Sequence, residues 1–239
     1  MVYLRSFLFN SLFYLMTTLI VVLFLPLLLL PRQVVWWVAR FWGWTTSKLL
    51  YICGIDHEIS GVMNLDETVI YAAKHQSAWE TIVLYAALKA PITVMKRELL
   101  FLPFIGFFFL RAGCIAVNRS GGMKALRELR AAAQRIRDNP RSILIFPQGT
   151  RVMPRTQHDY QIGVFTLYDT TGFTVVPIAL DSGRVWPRNS WLKYPGTVEI
   201  HFLEPIQPGL TRKQFMANLE AQIESKMAVL DASTPNNDW

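Results

Sequence analysis

The segment Lys74-His75-Gln76-Ser77-Ala78-Trp79-Glu80 places an imidazole and a carboxylate five positions apart, after an apolar run and at the opening of a helical pattern. Imidazole exchanges its proton near neutral pH, and a carboxylate on one ring nitrogen fixes the tautomer that leaves the other nitrogen as a base. His75 and Glu80 are therefore a candidate general base and its orienting acid. The same spacing has a second reading. Ser77-x-x-Glu80 is a capping box, in which both side chains satisfy free backbone donors of the first helical turn, and the pattern alone leaves both readings open.

Two further segments leave apolar runs with polar chemistry at their ends. Phe146-Pro147-Gln148-Gly149-Thr150-Arg151 offers a glycine that permits close backbone approach, a hydroxyl, and an arginine able to grip a phosphate with two parallel bonds. Gly113-Cys114-Ile115-Ala116-Val117-Asn118-Arg119 ends on an arginine just before a basic helical segment. A Gly-x-Ser-x-Gly hydrolase elbow and a His-Glu-x-x-His metal motif are both missing from the sequence. Cys53 and Cys114 stand far apart without CxxC context and read as reduced structural residues.

The elements that must position these residues alternate in type. Residues 69–73, 92–95, 114–117, 142–146, 174–180 and 198–203 read as strands, separated by helical patterns such as 79–88 and 123–137. Strands apolar on both faces, such as 143–146, call for helices on both sides. The expected fold class is α/β: a central, mostly buried β-sheet covered by helices, with an N-terminal two-helix membrane module. The expected division is a membrane-anchoring module over 1–58, a catalytic domain over 59–231 and a frayed tail over 232–239.

The chain has 239 residues, 52% hydrophobic and only 17% charged, so apolar surface must lie outside the core. Residues 7–30 contain no charge, and as a helix they would extend about 36 Å, enough to span a bilayer. Pro26 predicts a kink or break near 23–26. Residues 33–52 differ: Gln33, Arg40 and Ser47 form a narrow polar stripe, while Trp36, Trp37, Trp42 and Trp44 supply half of the eight tryptophans. Such rings prefer the headgroup level of a lipid bilayer. Arg32, Arg40 and Lys48 against Arg5 place the following domain on the cytoplasmic side, which in a bacterium means the inner membrane. The module is then either a spanning helix with an interfacial one, or a hairpin in one leaflet.

The net charge of +7 is concentrated. Residues 111–155 hold ten basic side chains and two acids, Glu128 and Asp138, while the rest of the chain is close to neutral. Such a patch suits phosphate groups, anionic lipid or an acidic protein. Nucleic acid is not expected as a partner, because no nucleic-acid motif accompanies the charge and the aromatics cluster in the membrane module instead.

Taken together, the segments resemble the glycerolipid acyltransferases, the bacterial 1-acyl-sn-glycerol-3-phosphate (lysophosphatidic acid) acyltransferases in particular. The four blocks of that family match, in order, His75-x-x-x-x-Glu80, Gly113-x-Ile115-x-x-x-Arg119, Phe146-Pro147-Gln148-Gly149-Thr150-Arg151 and Val176-Pro177-Ile178. The likeness covers roughly residues 69–180, including Lys96 ahead of the second block, and continues more loosely to about residue 230. It implies direct acyl transfer from an acyl carrier protein or coenzyme A thioester to lysophosphatidic acid, giving phosphatidic acid, with no cofactor beyond the thioester substrate. By resemblance, His75 is the base and Glu80 its partner. Lys96, Arg119, Gln148, Gly149, Thr150 and Arg151 bind substrate. Two positions depart from the family: Glu80 replaces an aspartate and is one methylene longer, and Gln148 replaces a glutamate and loses its charge. The second substitution keeps another lyso-lipid acceptor, such as a lyso-aminolipid, as the alternative. A lipid hydrolase and a non-enzymatic tether are more distant ones. Residues 99–110, rich in phenylalanine, are a candidate acyl groove or equally a core or bilayer contact.

Overall fold

All six runs expected as strands enter one sheet. In the computed structural model, which describes residues 1–63 and 65–233, the order along the chain begins with α1 (Val2–Phe24), α2 (Arg32–Leu49), β1 (Ile55–Ser60), β2 (Ile70–Ala73) and α3 (Trp79–Ala87). It continues with β3 (Ile92–Lys96), α4 (Ile105–Ala112), β4 (Ile115–Val117), α5 (Gly122–Asp138) and β5 (Ile143–Ile145). Then come α6 (Gly163–Thr171), β6 (Val175–Leu180), β7 (Gly196–Phe202) and α7 (Arg212–Ser233). The sheet runs β1-β7-β6-β2-β5-β3-β4. From β6 to β4 every pairing is parallel, and β7 lies antiparallel to β6.

Period-two alternation divides two cores between the faces of this sheet. Ile70, Ala72, Ile143 and Ile145 face α5, α6 and α7, where Leu129, Leu167 and Phe215 are buried. Tyr71, Ala73, Leu144 and Phe146 face the other way, onto Trp79, Val83 and Leu84 of α3 and Phe9 of α1. This is why strands such as β5 read as apolar throughout.

Two elements depart from expectation. β1 has no counterpart among the expected strands, and the division placed at 58/59 falls inside it. Its polar Asp56, His57 and Glu58 break any apolar run because β1 is an edge strand, where charge such as that of Asp56 and Glu58 discourages further pairing. α7 extends to Ser233, so Ala232 and Ser233 are helical rather than frayed. The rest of the expected tail, 234–239, lies outside the described residues.

At the N-terminus the expected break occurs: α1 stops at Phe24 and a 3-10 turn, Leu25–Leu29, carries Pro26. Val2–Leu29 is long and apolar enough to cross a membrane by length and composition, its most apolar stretch of 18 residues having a mean hydropathy of 2.6. α2 packs on α3 through Gly43, where an added Cβ would come within 3.0 Å of the Ala86 Cβ and 3.1 Å of the Ile82 carbonyl oxygen. The two N-terminal helices are joined by a bond from Trp42 Nε1 to Thr17 Oγ1 (3.0 Å). Arg111 of α4 holds the connection between them by donating to the Leu28 and Leu30 carbonyls. Arg141 lies 3.9 Å over the Trp36 ring while donating to the Ala90 and Ala112 carbonyls.

The first turns of α1 are held by a buried lysine. Lys193, 2% exposed, donates from Nζ to Asn10 Oδ1 (2.6 Å) and the Trp191 carbonyl (2.9 Å), with the Trp186 ring 4.6 Å away. Its backbone N–H donates to Ser6 Oγ. Both cysteines are unpaired, and burial pushes each thiol up to about 11, so they stay protonated.

Lys193→Met keeps the bulk but strands Asn10 Oδ1, so we expect a loss of about 1–3 kcal/mol, read by denaturant unfolding in detergent. Burial lowers the Lys193 ammonium from 10.5 to about 8. Between those values the unfolded chain holds a proton that the folded chain has released, so stability should rise as pH climbs from 8 to 10.5. That rise should be absent in Lys193→Met, and an identical pH profile in both proteins would disprove the assignment.

Candidate active site

Because β6, β2, β5, β3 and β4 run parallel as neighbours, their C-terminal ends form one edge of the sheet. Ligands of open parallel sheets bind at that edge. Ser182 follows β6, His75 follows β2, Gln148 follows β5, Lys96 ends β3 and Arg119 follows β4. Residues scattered over more than a hundred positions are thereby collected along one rim.

His75 and Glu80 meet. His75 Nδ1 lies 2.7 Å from Glu80 Oε1, and the same oxygen accepts the backbone N–H groups of Gln76 and Ser77, each at 2.7 Å. Ser77 Oγ accepts from the Trp79 N–H at 3.1 Å. The capping box of Ser77-x-x-Glu80 forms only in part: α3 takes Ala78 as its N-cap without a side-chain cap bond, while the carboxylate oxygen braces the Gln76-Ser77 turn ahead of the helix and orients the imidazole. Both backbone groups can only donate, so Oε1 is an acceptor and His75 carries its proton on Nδ1. Nε2 is left with its lone pair, and no hydrogen bond reaches it among the described residues. The ring stacks on Phe146 at 4.1 Å between centroids.

Phe146 also walls a cleft of about 730 Å3, lined on its apolar side by Val94, Met95, Val117 and Leu126 and on its polar side by Arg119, Gln148, Gly149 and Thr150. Gly149 adopts φ +68°, a left-handed turn that glycine accepts without strain, directly after β5. The loop beyond it folds back so that the Val152 N–H donates to the His75 carbonyl at 2.7 Å. Gln148 is 2% exposed, yet neither Oε1 nor Nε2 of its carboxamide has a partner among the described residues. A buried group left with a free donor and a free acceptor is poised for a ligand that offers both. Partial burial holds the Arg119 guanidinium below the ordinary arginine range, with Glu98 opposing the shift.

The structure thus gathers Arg119, Gln148, Gly149 and Thr150 around one cleft; His75 and Glu80 are not part of its lining, but the His75 ring stacks on the Phe146 wall with Glu80 bonded to its Nδ1. Two expected binders stand apart from that lining. Lys96 is exposed and paired with Glu98 at 3.3 Å, and the Arg151 carbonyl accepts from Arg188 at 2.8 Å. Of the phenylalanine-rich stretch, Phe101, Phe104 and Phe107 are exposed by 79%, 52% and 59% and none lines this cleft, which fits the bilayer-contact alternative. The basic patch is also partly structural, because Arg111 and Arg141 are committed to backbone carbonyls and Arg155 donates to the Asp231 carbonyl.

Sequence reasoning missed two groups. Ser182 Oγ donates to Glu80 Oε2 at 2.6 Å, and the Gln76 carboxamide oxygen accepts the Gly183 N–H at 3.0 Å. A position just past a parallel strand was the available signal, but 102 residues separate Ser182 from Glu80 and no local spacing links them. Lys74, beside the histidine, turns away to Glu224 of α7 at 2.7 Å, where Tyr160 also donates.

Comparison with known proteins bears on the family and the fold. A 1-acyl-sn-glycerol-3-phosphate acyltransferase of Pseudomonas aeruginosa is 35% identical over 163 residues, covering 68% of this chain and 62% of that protein's length. One from Haemophilus influenzae is 26% identical over 202 residues, covering 81% and 82%. The crystal structure of the 1-acyl-sn-glycerophosphate (LPA) acyltransferase PlsC from Thermotoga maritima superposes with a TM-score of 0.79 at 21% identity, over 99% of this chain and 100% of that one, so the two share a fold. The Acyltransferase family model matches residues 56–181, more than half of the chain, and that span contains the His75–Glu80 pair, the Arg119 and Gln148 cleft and the Val176-Pro177-Ile178 strand: the chain belongs to the acyltransferase family.

Proposed function

We propose that this protein transfers a fatty acyl group from a thioester to the free hydroxyl of 1-acylglycerol-3-phosphate, giving phosphatidic acid at a membrane surface. The observation that carries this reading is the His75 imidazole, held by Glu80 with no partner on Nε2 among the described residues, stacked on the Phe146 wall of a cleft whose lining combines apolar side chains with Arg119. The names of the Pseudomonas and Haemophilus relatives point to the same acceptor.

In this reading Nε2 removes the hydroxyl proton as the alkoxide oxygen bonds to the thioester carbonyl carbon. The tetrahedral adduct collapses, the carbon–sulfur bond breaks, and the imidazolium returns its proton to the departing thiolate. No acyl-enzyme forms. Two substrates held in one cleft react as if intramolecular, which supplies much of the acceleration. Arg119 neutralises the acceptor phosphate, and Arg151 and Lys96 reinforce it from outside the lining. The Gln148 carboxamide, with Gly149 and Thr150, takes the glycerol part, offering both a donor and an acceptor. The thioester comes from acyl carrier protein or coenzyme A, and the cationic residues of α5 suit either.

Membrane association follows from the surface. Trp37, Phe41 and Trp44 of α2 are exposed, as are Phe104, Phe107 and Leu110 at α4, beside the apolar α1. Exposed aromatic and apolar side chains at this density suit the bilayer interface. We place the protein at the bacterial inner membrane with the catalytic domain in the cytoplasm.

Purified protein in detergent, given lysophosphatidic acid and an acyl thioester, is expected to release thiol and form the diacyl product. Absence of turnover with both carrier-protein and coenzyme A thioesters, across a panel of lyso-lipid acceptors, would refute the reading. His75→Ala should lower kcat by at least about a thousandfold, near the usual scale for losing a general base, with an unchanged melting temperature. Wild-type turnover in that variant would remove the histidine from the mechanism. Arg119→Ala and Arg151→Ala should each raise the acceptor KM by about tenfold, the scale of a charge-assisted phosphate contact, while leaving the thioester KM unchanged. An unaltered acceptor KM would count against the phosphate role of that arginine.

A further inference from the structure

We infer that Ser182 is a positioning residue for the His75–Glu80 pair: its hydroxyl pins the outer oxygen of Glu80, so that the inner oxygen remains on the histidine. This rests on the acyl transfer reading above and extends it to a residue outside the matched blocks. Glu80 is fully buried, and its two oxygens are loaded unequally. Oε1 faces three donors, the His75 imidazole and the Gln76 and Ser77 amides, whereas among the described residues Oε2 has Ser182 alone, at 2.6 Å. A glutamate carboxylate turns about a broad terminal torsion that steric preference hardly restrains. The extra methylene relative to aspartate adds one more rotatable bond. A donor on the outer oxygen is what limits that freedom.

Ser182 is itself held from three directions. The preceding Asp181 accepts the Glu199 N–H at 2.8 Å and the Arg184 guanidinium at 2.9 and 3.1 Å, and Arg184 also donates to the Thr197 carbonyl. The following Gly183 donates its N–H to the Gln76 carboxamide. An added Cβ at Gly183 would come within 2.9 Å of the Gln76 Cβ and 3.0 Å of the Pro154 Cγ, so the turn is packed without slack against the residue next to the histidine. Position therefore passes from β7 through Asp181 to Ser182 and on to Glu80. Ser182 is 0% exposed and does not line the cleft, so its influence runs through Glu80 rather than through substrate.

The test combines one measurement that needs no substrate with one that does. In full-length protein labelled with 15N-histidine in detergent, the His75 signals are identified by their loss in His75→Gln. The wild type should show the Nδ1–H tautomer with a slowly exchanging ring proton. Ser182→Ala should speed that exchange at least tenfold and lower kcat ten- to a hundredfold, with the acceptor KM within twofold and the acid limb of the rate profile moved to lower pH, because a carboxylate that swings away no longer stabilises the imidazolium. Should the alanine variant unfold, Ser182→Cys fills nearly the same space with a much weaker donor and is expected to show the same changes at a native melting temperature. Wild-type proton exchange in whichever variant folds overturns the inference, as does a loss confined to KM with an unmoved acid limb. If the wild type itself transfers no acyl group, the proposed reaction fails while the imidazole spectrum still decides the role of Ser182.

Discussion

Parallel pairing across β6, β2, β5, β3 and β4 is the constraint on which the candidate site depends. Five strands that point the same way must end on the same side, and each carries the residues past its C-terminus to a common rim. The helices that return the chain to the opposite edge divide between the two faces, with α3 under one core and α5, α6 and α7 under the other. The short strands β4 and β5, three residues each, are long enough because their role is to aim the loops they open into. β7 runs the other way and contributes no rim residue, but it braces Asp181 at the end of β6.

Two buried polar groups at this rim are treated in opposite ways. The Glu80 carboxylate is saturated, accepting from an imidazole, two amides and a hydroxyl, so it is rigid and specific. The Gln148 carboxamide is left without any protein partner among the described residues, which costs folding free energy unless a ligand supplies the missing bonds. The first arrangement suits a group that must not move and the second a group that must bind. The acyltransferase block that this segment resembles carries a glutamate at the Gln148 position; an uncharged amide there shares the cleft lining with Arg119 without adding a buried negative charge.

Much of this was legible from residue order. Strand runs such as 142–146 and 174–180 stood out because both faces are buried, and the His75–Glu80 pair stood out because both partners lie on one turn of chain. Whatever depends on tertiary pairing stayed hidden. β1 carries charge because it is an edge, so its pattern carries no strand signal. Ser182 reaches Glu80 from a neighbouring strand, and no spacing rule spans 102 residues. The phenylalanines near 104–107 looked like groove residues by composition, yet composition cannot say which side of a short helix faces outward. The basic stretch 111–155 likewise mixed two kinds of arginine: Arg111 and Arg141 hold carbonyl oxygens of the framework, while Arg119 faces the cleft.

Every donor to Glu80 is an uncharged group, and the nearest lysine in sequence, Lys74, is neutralised by Glu224 of α7. The cations that could hold an acidic ligand sit in the cleft and on the surface, where dissolved ions reach them and screening is effective. The molecule therefore separates its electrostatics into a salt-sensitive part at the cleft and a salt-indifferent part at the buried pair. Under the proposed reaction, ionic strength would act on how often the site fills and leave unaltered what happens once it is full.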